Sequence, residues 1–305
     1  MAKRALALRV VQEGHQPEPR ENRLNDLSGA EWLFWTSTIF ETFYPADATH
    51  KLRKQHGAMK PPEVMAEIIR FFTKQGEEVL DPFAGVGGTL LGAALAGRRA
   101  LGFEINPQWV DVYNRIQREF AVVDGRIVRL GEIASDEGPR KDAAPLNAPM
   151  LVGDCMHLMA TLPDQSVDAI VADPPYGCNH GATGFKNETN FAMNSSTDPR
   201  DFSNAADLPA FLERMESLGC QAWRVLKPGR YLVLMVGDRY MRGEFVPLGV
   251  MVADTLRGVG FQFKGLRIWW NKATQRPLRP YAVKTCFVPN IVHQNILVLR
   301  RPDST

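Results

Sequence analysis

The sequence predicts an α/β protein built on a doubly wound, mostly parallel sheet. Three observations carry that expectation. Strand-like and helix-like stretches alternate five times, the first strand runs straight into a glycine-rich turn, and two strand-like stretches close the sequence. The closing pair adds one antiparallel strand near the C-terminus. With 305 residues, 45% hydrophobic and 23% charged, the chain suffices for one large domain or two small ones. It holds no run of about 18 apolar residues, so no helical membrane span is expected. The apolar stretch near the N-terminus is broken by Arg9 and lacks a cleavage-like site. The expected compartment is therefore the cytoplasm.

Residues 1–28 are polar and patternless and read as an arm, and the aromatic-rich segment 31–44 reads as a helix. This gives an N-terminal region 1–50 ahead of a main domain 51–305. A basic stretch, 51–56, leads to 61–72, where apolar residues recur at helical spacing behind a proline in the first turn. Strands are expected at 78–80, 100–103, 150–153, 167–172 and 231–236, with helices at 89–95, 107–120, 208–225 and 246–259. Residues 131–149 read as a surface excursion. Segments 177–205 and 271–289 read as long functional loops, and 261–270 and 295–299 as the closing strands.

The glycine-rich turn reads Asp81-Pro-Phe-Ala-Gly-Val-Gly-Gly-Thr89. Ligands of such sheets bind beyond the carboxyl ends of the strands, where glycines permit close backbone approach. Only Gly85-x-Gly87 matches the dinucleotide fingerprint, Leu90 occupies the third glycine position, and no Walker lysine is present. A carboxylate at Asp81 disfavours a pyrophosphate and suits a cationic ligand such as a sulfonium amino acid. Glu104 ends the second strand, where an acidic side chain can accept from both ribose hydroxyls. Asp154 ends the third strand and faces the same ligand.

Asp173-Pro-Pro-Tyr176 is the sharpest signal. An exocyclic amine conjugated to a ring is a poor nucleophile because its lone pair is delocalised. An acceptor pair, here the Asp173 carboxylate and the Pro174 carbonyl, can pyramidalise it and localise that pair. Pro174 and Pro175 make the turn rigid, and Tyr176 offers a ring face to an extruded base. No Pro-Cys pair is present for covalent C5 chemistry, and neither a CxxC pair nor a histidine cluster points to a metal. Between Thr255 and Pro302 stand nine Lys or Arg and no Asp or Glu, although the whole chain carries only +2. Such a basic end suits a polyanion. Within it Trp270, Lys272, Arg276, Arg279 and Lys284 interleave aromatic and cationic groups, and one of Trp269 and Trp270 is expected to be core.

These motifs resemble the DNA amino-methyltransferases of the adenine-N6 and cytosine-N4 type, over roughly residues 50–301. His56-Gly-Ala-Met-Lys-Pro61 is similar to the family's His-Pro-Thr-Gln-Lys-Pro segment, and 81–89 to its Asp-Pro-Phe-x-Gly-x-Gly-Thr loop with one extra glycine. Gly153-Asp-Cys155, Asp173 to Tyr176, Arg224 to Gly229, Ile268-Trp269 and 293–300 resemble the family's catalytic half and its closing segments. The cofactor half comes first, opposite to the order of the largest subclass, and no separate target-recognition domain is visible. Recognition then falls to 177–205, 239–245, 271–289 or the arm. The resemblance implies a class I methyltransferase (Rossmann-like) fold using S-adenosyl-L-methionine. It assigns that cofactor to His56, Lys60, Pro61, Asp81, Phe83, Ala84, Gly85, Gly87, Thr89, Glu104, Ile105, Asp154, Cys155 and Asp173. Asp173, Pro174, Pro175 and Tyr176 would act on the base. The implied reaction is methylation of adenine N6 in double-stranded DNA, with cytosine N4 in DNA or guanine N2 in RNA as alternatives. A non-catalytic subunit and a nicotinamide-dependent oxidoreductase are more distant readings. The class is compatible with a homodimer and with a cognate restriction endonuclease.

Overall fold

A computed structural model describes residues 21–133, 143–176, 198–241, 243–273 and 284–303. In chain order it opens with α1 (Gly29–Trp35), β1 (Ile39–Thr42), α2 (His50–Arg53) and α3 (Pro62–Phe72). The alternation begins with β2 (Glu78–Asp81), α4 (Gly88–Ala96), β3 (Arg99–Glu104) and α5 (Pro107–Glu119). An excursion holds β4 (Phe120–Val123), β5 (Arg126–Arg129), α6 (Leu130–Ile133) and β6 (Ala144–Pro145). The alternation resumes with β7 (Met150–Val152), α7 (Cys155–Ala160), β8 (Val167–Ala172), α8 (Leu208–Val225) and β9 (Leu226–Val236). Then come β10 (Arg239–Met241), β11 (Glu244–Val246), α9 (Leu248–Val259), β12 (Gln262–Asn271) and β13 (Gln294–Arg300).

Eight strands form one sheet in the order β1-β12-β13-β9-β8-β2-β3-β7. β13 runs antiparallel to both its neighbours, and the other pairings are parallel. This is the class I methyltransferase arrangement: a mostly parallel sheet with its antiparallel strand near the C-terminus. The first half of the alternation winds outward from β2 through β3 to β7, and the second outward from β8 through β9. The winding therefore reverses between β2 and β8, and a crevice opens at their carboxyl ends. Each face of the sheet is covered. On one side α3, α4 and α5 bury Met65, Ile68, Leu90, Leu91 and Ile116; on the other α8 and α9 bury Phe211, Met215, Leu218 and Leu256. Each such side chain contributes about 1.5–3 kcal/mol of burial. β8, covered on both faces, is buried along its whole length, which explains why every residue in it but Asp168 is apolar.

The structure corrects three expectations. Segment 31–44 is not one helix: α1 ends at Trp35, and β1 then pairs in parallel with β12. The Thr36-Ser-Thr38 run favours local turns over helix, and β1 completes the edge that β12 would otherwise expose. Segment 131–149, expected as an excursion, is partly structured: it holds most of α6, and β6 joins β4 and β5 in a small antiparallel sheet. Its turn is Asp124-Gly125, both at positive φ, the dipeptide that favours tight hairpins. Segment 239–245, expected as a loop, forms most of the β10–β11 hairpin. The structure also adds a short helix, α7, which starts where the Asp154 side chain accepts from the Met156 amide at 3.1 Å. Of the two expected long loops, 177–197 and 274–283 lie outside the described residues.

Candidate active site

A cavity of about 420 Å³ opens at the carboxyl ends of β2, β3 and β8, at the reversal point. His56, Lys60, Asp81, Phe83, Ala84, Gly85, Thr89, Glu104, Ile105, Asp154 and Cys155 line it, as do all four residues 173–176. The fold thus gathers nearly the whole sequence-derived set, from positions 56 to 176, into one space. Pro61 and Gly87 are not in the lining. They are the N-cap residues immediately before α3 and α4. Gly87 has φ +80°, and an added Cβ would meet the Tyr113 ring at 2.1 Å, so no other residue fits there without displacement.

Asp81 is buried at the end of β2, where its Oδ1 accepts the Phe83 amide at 2.9 Å. Burial pushes its carboxyl up to about 7 against the Thr89 and Phe83 hydrogen bonds, and the nearby Asp173 and Glu104 carboxylates add to the rise. Glu104 accepts the Gly85 amide at 2.9 Å and the Asn106 amide at 2.8 Å, tying the glycine turn to the end of β3. Burial raises it too, to about 7. Two carboxyls held this way favour a ligand that brings positive charge and hydroxyl donors. His56 stacks edge-to-face on Trp109, ring centroids 5.0 Å apart. Burial, with Lys60 and Arg53 adding, drives its pKa down to about 4, so it is neutral near pH 7. Its Nδ1 is buried with no partner among the described residues. With that orphaned nitrogen beside the cavity, the acceptors Asp81 and Glu104 fit the sulfonium and ribose hydroxyls of S-adenosylmethionine. The Cys155 thiol is buried and raised, which removes it as a nucleophile.

At the catalytic turn, Lys60 Nζ pairs with Asp173 Oδ2, which joins the segment before α3 to the end of β8. The Tyr176 hydroxyl donates to Asp173 Oδ1 at 2.7 Å. Sequence reasoning missed several contributors. Trp109 forms a buried wall behind His56, and Phe202 packs edge-to-face on Phe83 at 4.9 Å. Gln294, on the antiparallel strand, donates to the Tyr176 hydroxyl. Gln294 falls within the 293–300 segment and Phe202 within 177–205, but no local signal gives any of the three its partner, because each reaches the site through tertiary packing.

The expected nucleic-acid residues divide. Trp269 is buried and gives its indole N–H to Thr42 Oγ1 at 2.8 Å, while Trp270 is 43% exposed, so one of the pair is core. Lys272 Nζ lies 4.8 Å from the Trp270 ring centroid and pairs with Glu41. Lys284 is exposed, and Arg276 and Arg279 lie outside the described residues. Among the described residues no helix is long and apolar enough to cross a membrane.

Residues 8–115 and 167–305 match the family described as DNA methylase, and residues 68–192 match the RMKL-like methyltransferase domain. The chain is 30% identical over 132 residues to a tRNA (guanine(10)-N2)-dimethyltransferase of Methanothermobacter thermautotrophicus, covering 43% of this chain and 32% of that one. It is 33% identical over 79 residues to the Type II methyltransferase M.MthZI of the same organism, covering 26% and 22%. The chain thus spans about a third or less of the length of these relatives. Among solved structures, a chain from Thermus thermophilus in complex with S-adenosyl-L-methionine is 25% identical. That match covers 50% of this chain and 55% of that one at a TM-score of 0.35.

Proposed function

The chain belongs to the DNA methylase family, and from that premise we propose that it moves a methyl group from S-adenosylmethionine to the exocyclic amine of a nucleobase. The observation that supports this best is the placement of Asp173 to Tyr176 on the wall of the cavity that also holds Asp81 and Glu104. When bound, S-adenosylmethionine supplies an electrophilic methyl group on a sulfonium centre. Asp81, Glu104, Asp154 and His56 would hold it. The Asp173 carboxylate and the Pro174 carbonyl accept hydrogen bonds from the target amine, which localises its lone pair. Tyr176 walls the base, and the amine proton leaves to water or to Asp173 after transfer.

The test is Asp173→Ala, with Asp173→Asn as its milder partner. Transfer of labelled methyl should fall at least about a hundredfold, with cofactor affinity held within a few fold. Full activity in Asp173→Ala would overturn the mechanism.

For the target we propose adenine N6 in duplex DNA. This reading is supported by a family match that takes in His56 to Pro61 as well as the closing strands. A second reading, guanine N2 in tRNA, is favoured by the identity of the curated relatives, several of which are tRNA guanine-N2 dimethyltransferases. Labelled transfer to DNA against tRNA, with mass spectrometry of the nucleosides, separates the two. Incorporation confined to tRNA overturns the DNA reading, and N4-methylcytosine in DNA overturns only the base.

A further inference from the structure

Tyr176 is held on three sides by residues to which the motifs assign no role in the site. Its backbone carbonyl accepts from Arg239 Nη1 at 2.7 Å. Its ring lies over Gly237, where an added Cβ would come within 3.3 Å of Cε2. Its hydroxyl accepts from Gln294 Nε2 and donates to Asp173 Oδ1. Gln294 is itself anchored: it opens β13 and sits opposite the buried Trp269 of β12.

The direction of this chain of hydrogen bonds carries chemical meaning. A phenol has one proton, and an amide NH₂ can only donate. While Gln294 occupies the hydroxyl lone pair, the phenol proton is committed to Asp173. Lys60 holds the other carboxylate oxygen. The plane of the catalytic carboxylate is thereby fixed from both ends, and each oxygen keeps further acceptor capacity for a target amine.

We infer that Gln294 is a positioning residue for methyl transfer, acting through the Tyr176 hydroxyl on the Asp173 carboxylate. The inference rests on the proposed amine methylation and adds a residue to it from the antiparallel strand, 118 positions beyond Tyr176. It also gives Tyr176 a role in its hydroxyl beyond that of its ring. An acceptor misplaced by about 1 Å costs on the order of a hundredfold in rate, so even partial release of the carboxylate should be measurable.

The experiment is a double-mutant cycle on the full chain with Gln294→Leu and Tyr176→Phe, on a nucleic acid the wild type methylates. Each single variant should lose about tenfold or more in kcat, with the KM for nucleic acid and the Kd for S-adenosylmethionine within about twofold. The double variant should be no slower than the slower single, because both changes break one chain of bonds. Gln294→Glu should also slow transfer, since a second acceptor competes with Asp173 for the phenol proton. It replaces Gln294→Leu in the cycle if that variant does not fold. Wild-type kcat in Gln294→Leu, or losses that multiply in the double variant, would overturn the inference. If the wild type binds the cofactor yet methylates no nucleic acid, the functional reading fails and the structure of the Gln294→Leu protein decides the inference separately. A Tyr176 hydroxyl turned away from Asp173 supports it, and an unmoved hydroxyl overturns it.

Discussion

Asp81 and Glu104 are carboxyls that burial has made reluctant to ionise, each raised to about 7. In the unfolded chain such groups lose their protons near pH 4. Between about pH 4 and 7 these two groups therefore hold more protons in the folded protein than in the unfolded chain. Their contribution to stability is present at low pH and is lost as pH rises through that window. A sulfonium ligand favours the ionised forms, so its binding should run the opposite way. Affinity for S-adenosylmethionine is expected to rise by about tenfold between about pH 6 and 8, with proton release. Calorimetry in buffers of different ionisation enthalpy checks both, and a flat profile would mean that neither carboxyl ionises on binding. His56, with a pKa of about 4 in the fold, is neutral between about pH 6 and 8 and adds nothing to that change in affinity.

Two joints between elements hold the site in place. The first is the turn from β2 into α4, where Gly87 lies under the Tyr113 ring. Gly87→Ala combines a positive φ with a clash, and should cost about 1–3 kcal/mol. It should also weaken cofactor binding by shifting the loop that ends on α4. Urea denaturation and calorimetry on the same protein measure the two effects, and wild-type values for both would show that Gly87 holds neither the turn nor the cofactor. The second joint docks β1 onto β12, where the buried Trp269 indole N–H meets Thr42 Oγ1. Thr42→Val keeps the volume and leaves that donor unpaired, at an expected cost of about 1–3 kcal/mol. A smaller loss in urea denaturation would mean that the indole finds another acceptor.

For the whole molecule, charge distribution matters more than net charge. The chain carries +2, yet nine cations stand between Thr255 and Pro302 without a single carboxylate. If that segment meets a nucleic acid, released counterions should make binding salt-dependent. Raising salt from about 50 to about 200 mM should weaken nucleic-acid binding by tenfold or more and leave cofactor binding nearly unchanged. Neutralising Lys272, Arg276, Arg279 and Lys284 together should flatten the salt slope measured by fluorescence anisotropy. An unchanged slope would place the polyanion elsewhere on the surface.

Local pattern was enough to specify the alternating sheet, because each strand and helix has its own apolar period. It was also enough for two parts of the cavity wall, because the 81–89 turn and the 173–176 turn each end a core strand, whereas His56, Lys60 and Cys155 were marked only by the resemblance to the family. It failed where a pattern is ambiguous. An aromatic-rich stretch such as 31–44 suits helix or strand until the open edge of β12 claims it. The Asp124-Gly125 hairpin is a different case, since its signal is readable in the dipeptide alone. No local pattern says which distant groups meet: Lys60 with Asp173, His56 against Trp109, and Gln294 on Tyr176. Periodicity records whether a side chain faces the core. Which partner it finds there depends on how the sheet is wound, and that is a property of the whole chain.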